Sequence, residues 1–384
     1  MENPDIIAPW KERKPRFQSN CNSNIYARSN VMSGRKILYA FLILLLTSCG
    51  KQEAGTTTIG IIAPLTGEGA TYGAAMKRGF DLAFKGSAGI ELIYEDSRLS
   101  PKDGATAFQK LVSLNKTPIV YGAAASGVSA AIAPLANKAK VVLFSSISTS
   151  DTLSNAGDYF YRNVPRNALQ GKTAAVFLAK DKNARSVAIL NENDEYGVNL
   201  ASSFKQEALR LGIKIVYEGS YLSTDIDFRT KLQAIKESGA EAIFVPGNYE
   251  ETGIILKQAD ELDLNTIFVG GDGSYSPKLI EFAGKAAEGF YCTIMAINKD
   301  TQKYKTFEQK FINAYGKKPD VYDTYAYEAG LIVREALANG AGDLKSYLDG
   351  YSFDSFSGPL TFLNGDVNRL YGIEQIKDGE FSAL

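Results

Sequence analysis

Residues able to do acid–base or nucleophilic work are unevenly supplied in this sequence: 43 acidic and 42 basic side chains, three cysteines and no histidine. Without imidazole there is no Ser-His-Asp or Cys-His nucleophile, no zinc site that needs a histidine, and none of the commonest general base near neutral pH. Carboxylate chemistry remains. A hydrolase would need two acids facing one cleft, for which Asp194, Glu195 and Asp272 are candidates, but no motif sets a second acid with a raised pKa beside Asp272. Asp272 lies in Gly270-Gly271-Asp272-Gly273 right after an apolar run. That position suits either a ligand contact beyond a strand end or a plain turn with aspartate in it. Ser145, Ser146, Ser148 and Thr149 form a hydroxyl-rich loop that could equally be a surface turn or a set of ligand donors. Ser126 stands where a short strand gives way to a helix. It could cap that helix, or add a donor to the unpaired N–H groups and positive dipole end that hold anions. Gly67-Glu68-Gly69-Ala70-Thr71-Tyr72-Gly73 opens a helix after a strand, but it is one residue too long for the dinucleotide fingerprint.

Composition narrows the class further. At 384 residues, 45% of them hydrophobic, the chain is an ordinary globular one long enough for two domains. Its net charge of −1 removes the electrostatic case for nucleic acid, which needs a basic face against phosphates. Cys21, Cys49 and Cys292 are too scattered for a disulfide framework, and Cys292 falls in an apolar run where a buried thiol is expected.

The N-terminus is an address. The apolar run ILYAFLILLL at Ile37–Leu46 follows Arg35 and Lys36; it is too short to span a bilayer and has the layout of a secretion signal. It ends in Leu46-Thr47-Ser48-Cys49-Gly50, which resembles the bacterial lipobox, where cleavage ahead of the cysteine leaves Cys49 to carry the lipids. Met32 then marks the expected true start, with residues 1–48 removed and residues 49–57 as a lipidated tether. Export also lowers the case for NAD chemistry, since phosphate cofactors are scarce outside the cytoplasm.

Short apolar strands alternate with amphipathic helices over the rest of the chain, the pattern of parallel sheets covered on both faces. Strands are expected at Thr58–Ile62, Ile90–Tyr94, Pro118–Tyr121 and Val141–Phe144, with helices at Tyr72–Phe84, Lys102–Ser113 and Gly127–Asn137. A second run has strands at Ser186–Leu190, Ile213–Tyr217, Ala242–Val245, Ile267–Gly270 and Gly289–Thr293. Its helices are Leu169–Lys180, Gly197–Leu211, Phe228–Glu237, Tyr249–Leu262 and Pro277–Phe282, with Gly212 ending the second of them. Helices at Thr306–Tyr315, Thr324–Ala338 and Leu344–Tyr351 follow, then strands at Pro359–Phe362 and Ile373–Ile376.

Element order and local motifs together resemble the type I periplasmic binding proteins, in their leucine/isoleucine/valine-binding branch. The motifs are TIGIIAPLTGEGATYGAAMKRGFDLA (Thr58–Ala83), YGAAASGVSAAIAP (Tyr121–Pro134), VVLFSSISTS (Val141–Ser150), NDEYGVN (Asn193–Asn199), VPGNYEETGIILKQA and VGGDGSYSP (between Val245 and Pro277), and GPLTFLNGD (Gly358–Asp366). The resemblance implies an α/β fold of two doubly wound parallel-sheet lobes joined by three crossover segments, near Arg166, Thr293–Ile297 and Leu370. Lobe 1 would be residues 58–166 plus 296–370, and lobe 2 residues 167–295 plus 371–384.

It also implies a protein that binds a small amino acid or analogue between the lobes and hands it to an inner-membrane ABC permease, with no catalysis, metal or cofactor. A sensor feeding a signalling receptor would share the fold and pocket, and neighbouring permease and ATPase genes would tell the two apart. A zwitterion removed from water needs hydrogen bonds at both charges. By resemblance, its carboxylate goes to Ser126 and its ammonium to Asp272, the Ile147 carbonyl and the Thr149 hydroxyl, with Ser148 in the same loop. Tyr72 and Tyr196 match aromatics that line the family's cleft, one from each lobe. Asn248 departs from the pattern: it stands where relatives carry an aromatic, which opens the cleft to polar or smaller ligands.

Overall fold

The computed structural model describes residues 56–340 and 342–384. The signal segment, Cys21, Cys49 and nearly all of the tether lie outside the described residues.

Strand β1 (Thr57–Ala63) shows how the sequence builds the first sheet. Ile59 and Ile61 face one core and Ile62 faces another, so a run without alternation is buried on both sides. β1 pairs in parallel with β2 (Ile90–Asp96) and β3 (Ile119–Tyr121), and the sheet continues through β4 (Val142–Ser145) to β5 (Phe160–Arg162), in the order β2-β1-β3-β4-β5. Helices α1 (Ala70–Phe84), α2 (Pro101–Ser113) and α3 (Ser126–Ala139) connect the strands.

The second sheet has the order β14-β13-β10-β9-β8-β6-β7, where β13 is Tyr371–Lys377 and β14 is Glu380–Ala383. Its parallel part is β6 (Ser186–Glu192), β7 (Lys214–Tyr221), β8 (Ala242–Val245), β9 (Ile267–Gly270) and β10 (Tyr291–Met295). Helices α4 (Asn167–Val176), α5 (Glu195–Arg210), α6 (Arg229–Ser238), α7 (Tyr249–Glu261) and α8 (Pro277–Ala283) accompany it. Val187 and Ile189 pack with Leu200 and Phe204 of α5, while Ala188 and Leu190 face the opposite core. Cys292 is fully buried in β10. Gly212 follows α5 with a φ of +81°, the left-handed turn expected there.

After β10 the chain leaves the second sheet for α9 (Gln302–Tyr315), α10 (Val321–Ala338) and α11 (Leu344–Gly350). α10 lies along α1 of the first sheet. The approach is close enough that a Cβ on Gly79 would meet the Asp323 carbonyl at 2.6 Å, and one on Gly330 would meet Ala83 Cβ at 2.5 Å. The chain then returns as β13 (Tyr371–Lys377) and β14 (Glu380–Ala383), both antiparallel to their neighbours. One edge of the second sheet is therefore antiparallel, where parallel strands were expected throughout.

Other differences are local. β5 and β11 (Phe353–Ser355) are three residues each, too short for a periodic signal. The strand expected over Pro359–Phe362 is β12 (Gly358–Leu360), paired with β11 as a separate hairpin. β7 runs to Tyr221 because, as an edge strand, it alternates partly buried and exposed residues.

One buried cluster ties the passages between the sheets together. The Arg369 guanidinium donates to Glu328 at 2.6 and 2.8 Å and to the Asn163 carbonyl at 3.1 Å, and it contacts Met295 Sδ at 3.5 Å. Nearby, Ala296 N–H donates to the Leu370 carbonyl and Tyr371 OH donates to the Pro165 carbonyl.

Candidate functional site

Parallel strands release their chains at one end, and loops from both sheets converge there on a single cavity of about 180 Å³. That volume is far above the roughly 10–15 Å³ needed for one water, so the space suits a small organic molecule. The β1–α1 loop supplies Glu68 and the first turn of α1 supplies Tyr72, while the β3–α3 turn supplies Ala124 and Ala125 and the start of α3 supplies Ser126. Ile147 comes from beyond β4, and Glu192, Asp194 and Tyr196 from the β6–α5 connection. Asn248 to Glu251 come from the start of α7, Asp272 and Gly273 from beyond β9, and Tyr322 from α10.

Ser126 and Asp272, expected to hold opposite ends of a zwitterion, open onto this one cavity. Ser126 is the first residue of α3, and the preceding Ala125 offers no side-chain cap, so the first-turn N–H groups are not closed off by one. The Ser126 Oγ accepts the Ser150 N–H at 3.2 Å and keeps its own proton to donate. Asp272 is buried, and its Oδ1 accepts from Tyr196 OH at 2.7 Å and Gly273 N–H at 3.1 Å. Burial raises the Asp272 pKa and these hydrogen bonds oppose the rise. Tyr196 OH also accepts the Gly273 N–H at 3.0 Å, so Tyr196 fixes the aspartate as well as walling the cavity.

The hydroxyl loop divides. Ile147 lines the cavity; Ser148 and Thr149 do not. Ser148 Oγ is occupied by the Ala123 carbonyl at 2.9 Å and by Ser129 Oγ at 2.8 Å, which makes it a brace of the loop. The Thr149 carbonyl accepts Asn167 N–H, and its buried hydroxyl has no partner among the described residues. Buried Arg162 supports the loop from behind, donating to the Ser150 carbonyl at 2.8 Å and pairing with Asp366 at 2.7 Å.

Contacts also run across the cavity between elements of the two sheets. Tyr72 OH donates to the Gly273 carbonyl and lies 3.2 Å from Asn248 Oδ1. Its ring meets those of Tyr249 and Tyr322 edge-on, with centroids 5.2 and 5.1 Å away. Tyr249 OH donates to the Glu68 carbonyl, and Glu195, outside the cavity, accepts from Ser150 Oγ at 2.9 Å and Thr152 Oγ1 at 2.7 Å.

Asn248 does not present a free amide. Its Nδ2 donates to Glu192 Oε2 at 2.9 Å, its backbone N–H donates to the same oxygen at 3.1 Å, and its Oδ1 faces Tyr72. Asn248 therefore orients Glu192, a cavity acid that sequence reasoning missed, as it missed Glu251. Burial raises Glu192 to about 8, helped by the nearby charges of Asp194 and Glu251 and opposed by the Asn248 donors. Burial likewise raises Glu251 to about 7, and raises Asp194 against the Gly197 N–H that it accepts at 2.6 Å. The glycines of the near-dinucleotide loop have packing duties: a Cβ on Gly73 would strike the Pro64 carbonyl, and one on Gly69 would meet Leu99.

The sequence profile of the periplasmic binding protein family matches residues 56–380. A Leu/Ile/Val-binding protein homologue of Brucella abortus is 29% identical over 84% of this chain and 88% of its own. Among solved structures, a leucine-binding protein of Thermotoga maritima superposes with a TM-score of 0.81 at 25% identity, covering 85% of this chain and 97% of that one. A branched-chain amino-acid transporter substrate-binding protein of Streptococcus pneumoniae, solved with isoleucine, gives 0.80 at 27% identity, covering 85% and 98%.

Proposed function

The chain belongs to the periplasmic binding protein family, and from that premise we propose that it is the exported receptor of an ABC importer, taking a small amino acid or amino-acid-like ligand between two lobes. The lobes are residues 58–166 plus 296–370 and residues 167–295 plus 371–384, with the passages near Arg166, Thr293–Ile297 and Leu370 acting as hinges. Binding shifts the population toward the closed arrangement, because the ligand touches both lobes only when they meet. Cys49 carries the lipid that keeps the receptor at the cell envelope, and an inner-membrane permease accepts the ligand.

The observation that carries this reading is that Ser126, at an uncapped helix start of one sheet, and Asp272, beyond a strand of the other, line one cavity. A carboxylate fits the first and an ammonium the second. Ile147, Tyr72 and Tyr196 wall the cavity, and Asn248 acts through Glu192. Ser148 and Thr149 support this loop.

A thermal-shift screen of free amino acids, amides and small carboxylates tests the reading. An amino acid that binds the native state alone raises the melting temperature. A screen in which no amino acid does so removes the assignment, and turnover of a bound compound would favour a hydrolase. Cys49→Ser should free the protein from membranes; retention there would end the lipid-anchor proposal.

A further inference from the structure

An α-amino acid with an apolar side chain needs one carboxylate in its pocket, for its ammonium. Among the described residues, this cavity is lined by six, Glu68, Glu192, Asp194, Glu250, Glu251 and Asp272, and by no lysine or arginine. None of the ion pairs among the described residues involves any of the six. Asp272 is committed to Tyr196 and Gly273, beyond β9. The others come from different elements: Glu192 and Asp194 from the end of β6 and the start of α5, Glu250 and Glu251 from the first turn of α7, and Glu68 from the β1–α1 loop.

Glu251 supplies a second, independent observation. Its residue is only 3% exposed, yet its Oε2 has no hydrogen-bond partner among the described residues. An unpaired carboxylate oxygen buried beside a cavity costs free energy unless the cavity's occupant donates to it. Glu192, 4% exposed, is held in place by two donors from Asn248, so its position is built and not incidental. The rings of Tyr72, Tyr249 and Tyr322 complete the lining, and aromatic faces tolerate cations as well as apolar groups.

We propose that the ligand carries a second positive charge on its side chain, an ammonium or guanidinium held by Glu192, Asp194 and Glu251, so that the receptor takes a basic amino acid and not a branched aliphatic one. This rests on the amino-acid reading of Ser126 and Asp272 and extends it to the side-chain end of the same cavity. A neutral aliphatic chain there would leave the carboxylates desolvated with no counter-charge. A cationic one ionises and pairs them. The groups facing Glu192 and Glu251 are Asp194, Glu68, Glu250 and the Tyr72, Tyr221 and Tyr249 phenols. None of these is a cation, so burial without a counter-charge makes Glu192 and Glu251 keep their protons to higher pH, and a cationic ligand displaces them.

The test is calorimetric titration of the intact protein with L-lysine, L-arginine and L-ornithine beside L-leucine, L-isoleucine, norleucine and L-glutamine. At least one basic amino acid should bind about 10- to 100-fold more tightly than norleucine, the span that charge-assisted hydrogen bonds support. Its affinity should fall as the pH is lowered from about 8.5 to about 6, and binding should release protons, read by repeating the titration in buffers of different ionisation enthalpy. Glu251→Gln, close in shape, should lose most of the preference over norleucine; if that variant does not fold, proton release by the wild-type protein decides the same question. Leucine or glutamine binding as tightly as any basic amino acid, without proton release, would overturn this proposal and leave the amino-acid reading standing. Binding of no amino acid would overturn both.

Discussion

Asp272 shows what one residue must do here. It sits beyond β9 with Tyr196 and Gly273 holding Oδ1, a carboxylate kept in one orientation before any ligand arrives. Asp272→Ala should weaken any α-amino-acid ligand by about 2 kcal/mol or more, roughly 30-fold, because the ligand's ammonium is then buried without a partner. Calorimetry that finds this variant binding normally would show that the ammonium lies elsewhere. Ser126 and Asp272 were legible because each follows an apolar strand in sequence, and parallel sheets gather ligands at that end. Glu192 and Glu251 were not. Glu192 ends a strand and Glu251 sits in a helical turn, where a sequence makes an acid look solvated; only the pairing of β8 with β6, which brings the start of α7 beside the end of β6, turns both into the cavity. Asn248 stands out in the sequence and lines the cavity, and what the sequence did not show is that its amide donates to Glu192.

At the scale of elements, the acids at the ends of β6 and α7 store a pH dependence. Glu192 and Glu251 rise to about 8 and about 7, against an ordinary carboxyl near 4.3. The unliganded native state therefore keeps protons that the unfolded chain has already lost. Their contribution to stability is whole at acid pH and declines as pH climbs through that window. The melting temperature of unliganded protein should thus drop between about pH 6 and about pH 8.5, and a Glu192→Gln, Glu251→Gln double variant should flatten the slope. A slope unchanged in the double variant would place the titration elsewhere. The connecting segments carry a different liability. Arg369 and Glu328 are both almost fully buried, and removing only the arginine strands the carboxylate. Arg369→Met should cost about 3–5 kcal/mol in urea unfolding, with part of the loss regained on adding Glu328→Leu. A loss under about 1 kcal/mol would mean that the cluster is not what fixes these passages. Long apolar runs made the parallel strands readable, and β13 with them, whereas three-residue β5, short β14 and the antiparallel pairing of β13 depend on tertiary neighbours that no local pattern encodes.

The described residues form two large sheets, beside the small β11–β12 hairpin, and the loop ends of the two share one cavity, with α9 to α11 lying between strands of the second sheet in sequence while α10 packs on α1. That interleaving is why the chain passes between sheets more than once, and why the passages cluster at Arg369. Tyr72 to Gly273 and Tyr249 to Glu68 each join elements of the two sheets at the cavity, so the wall is complete only when elements of both sheets meet. The proposed receptor holds a dipolar molecule by its two charged ends, on α3 at Ser126 and on Asp272. The most direct measurement compares, by calorimetry, a bound amino acid with its decarboxylated amine and its deaminated acid, identical in side chain. Losing either end should cost at least about tenfold in affinity, since a buried charged partner is then left unmatched. Equal binding of the amine or of the acid would contradict the account.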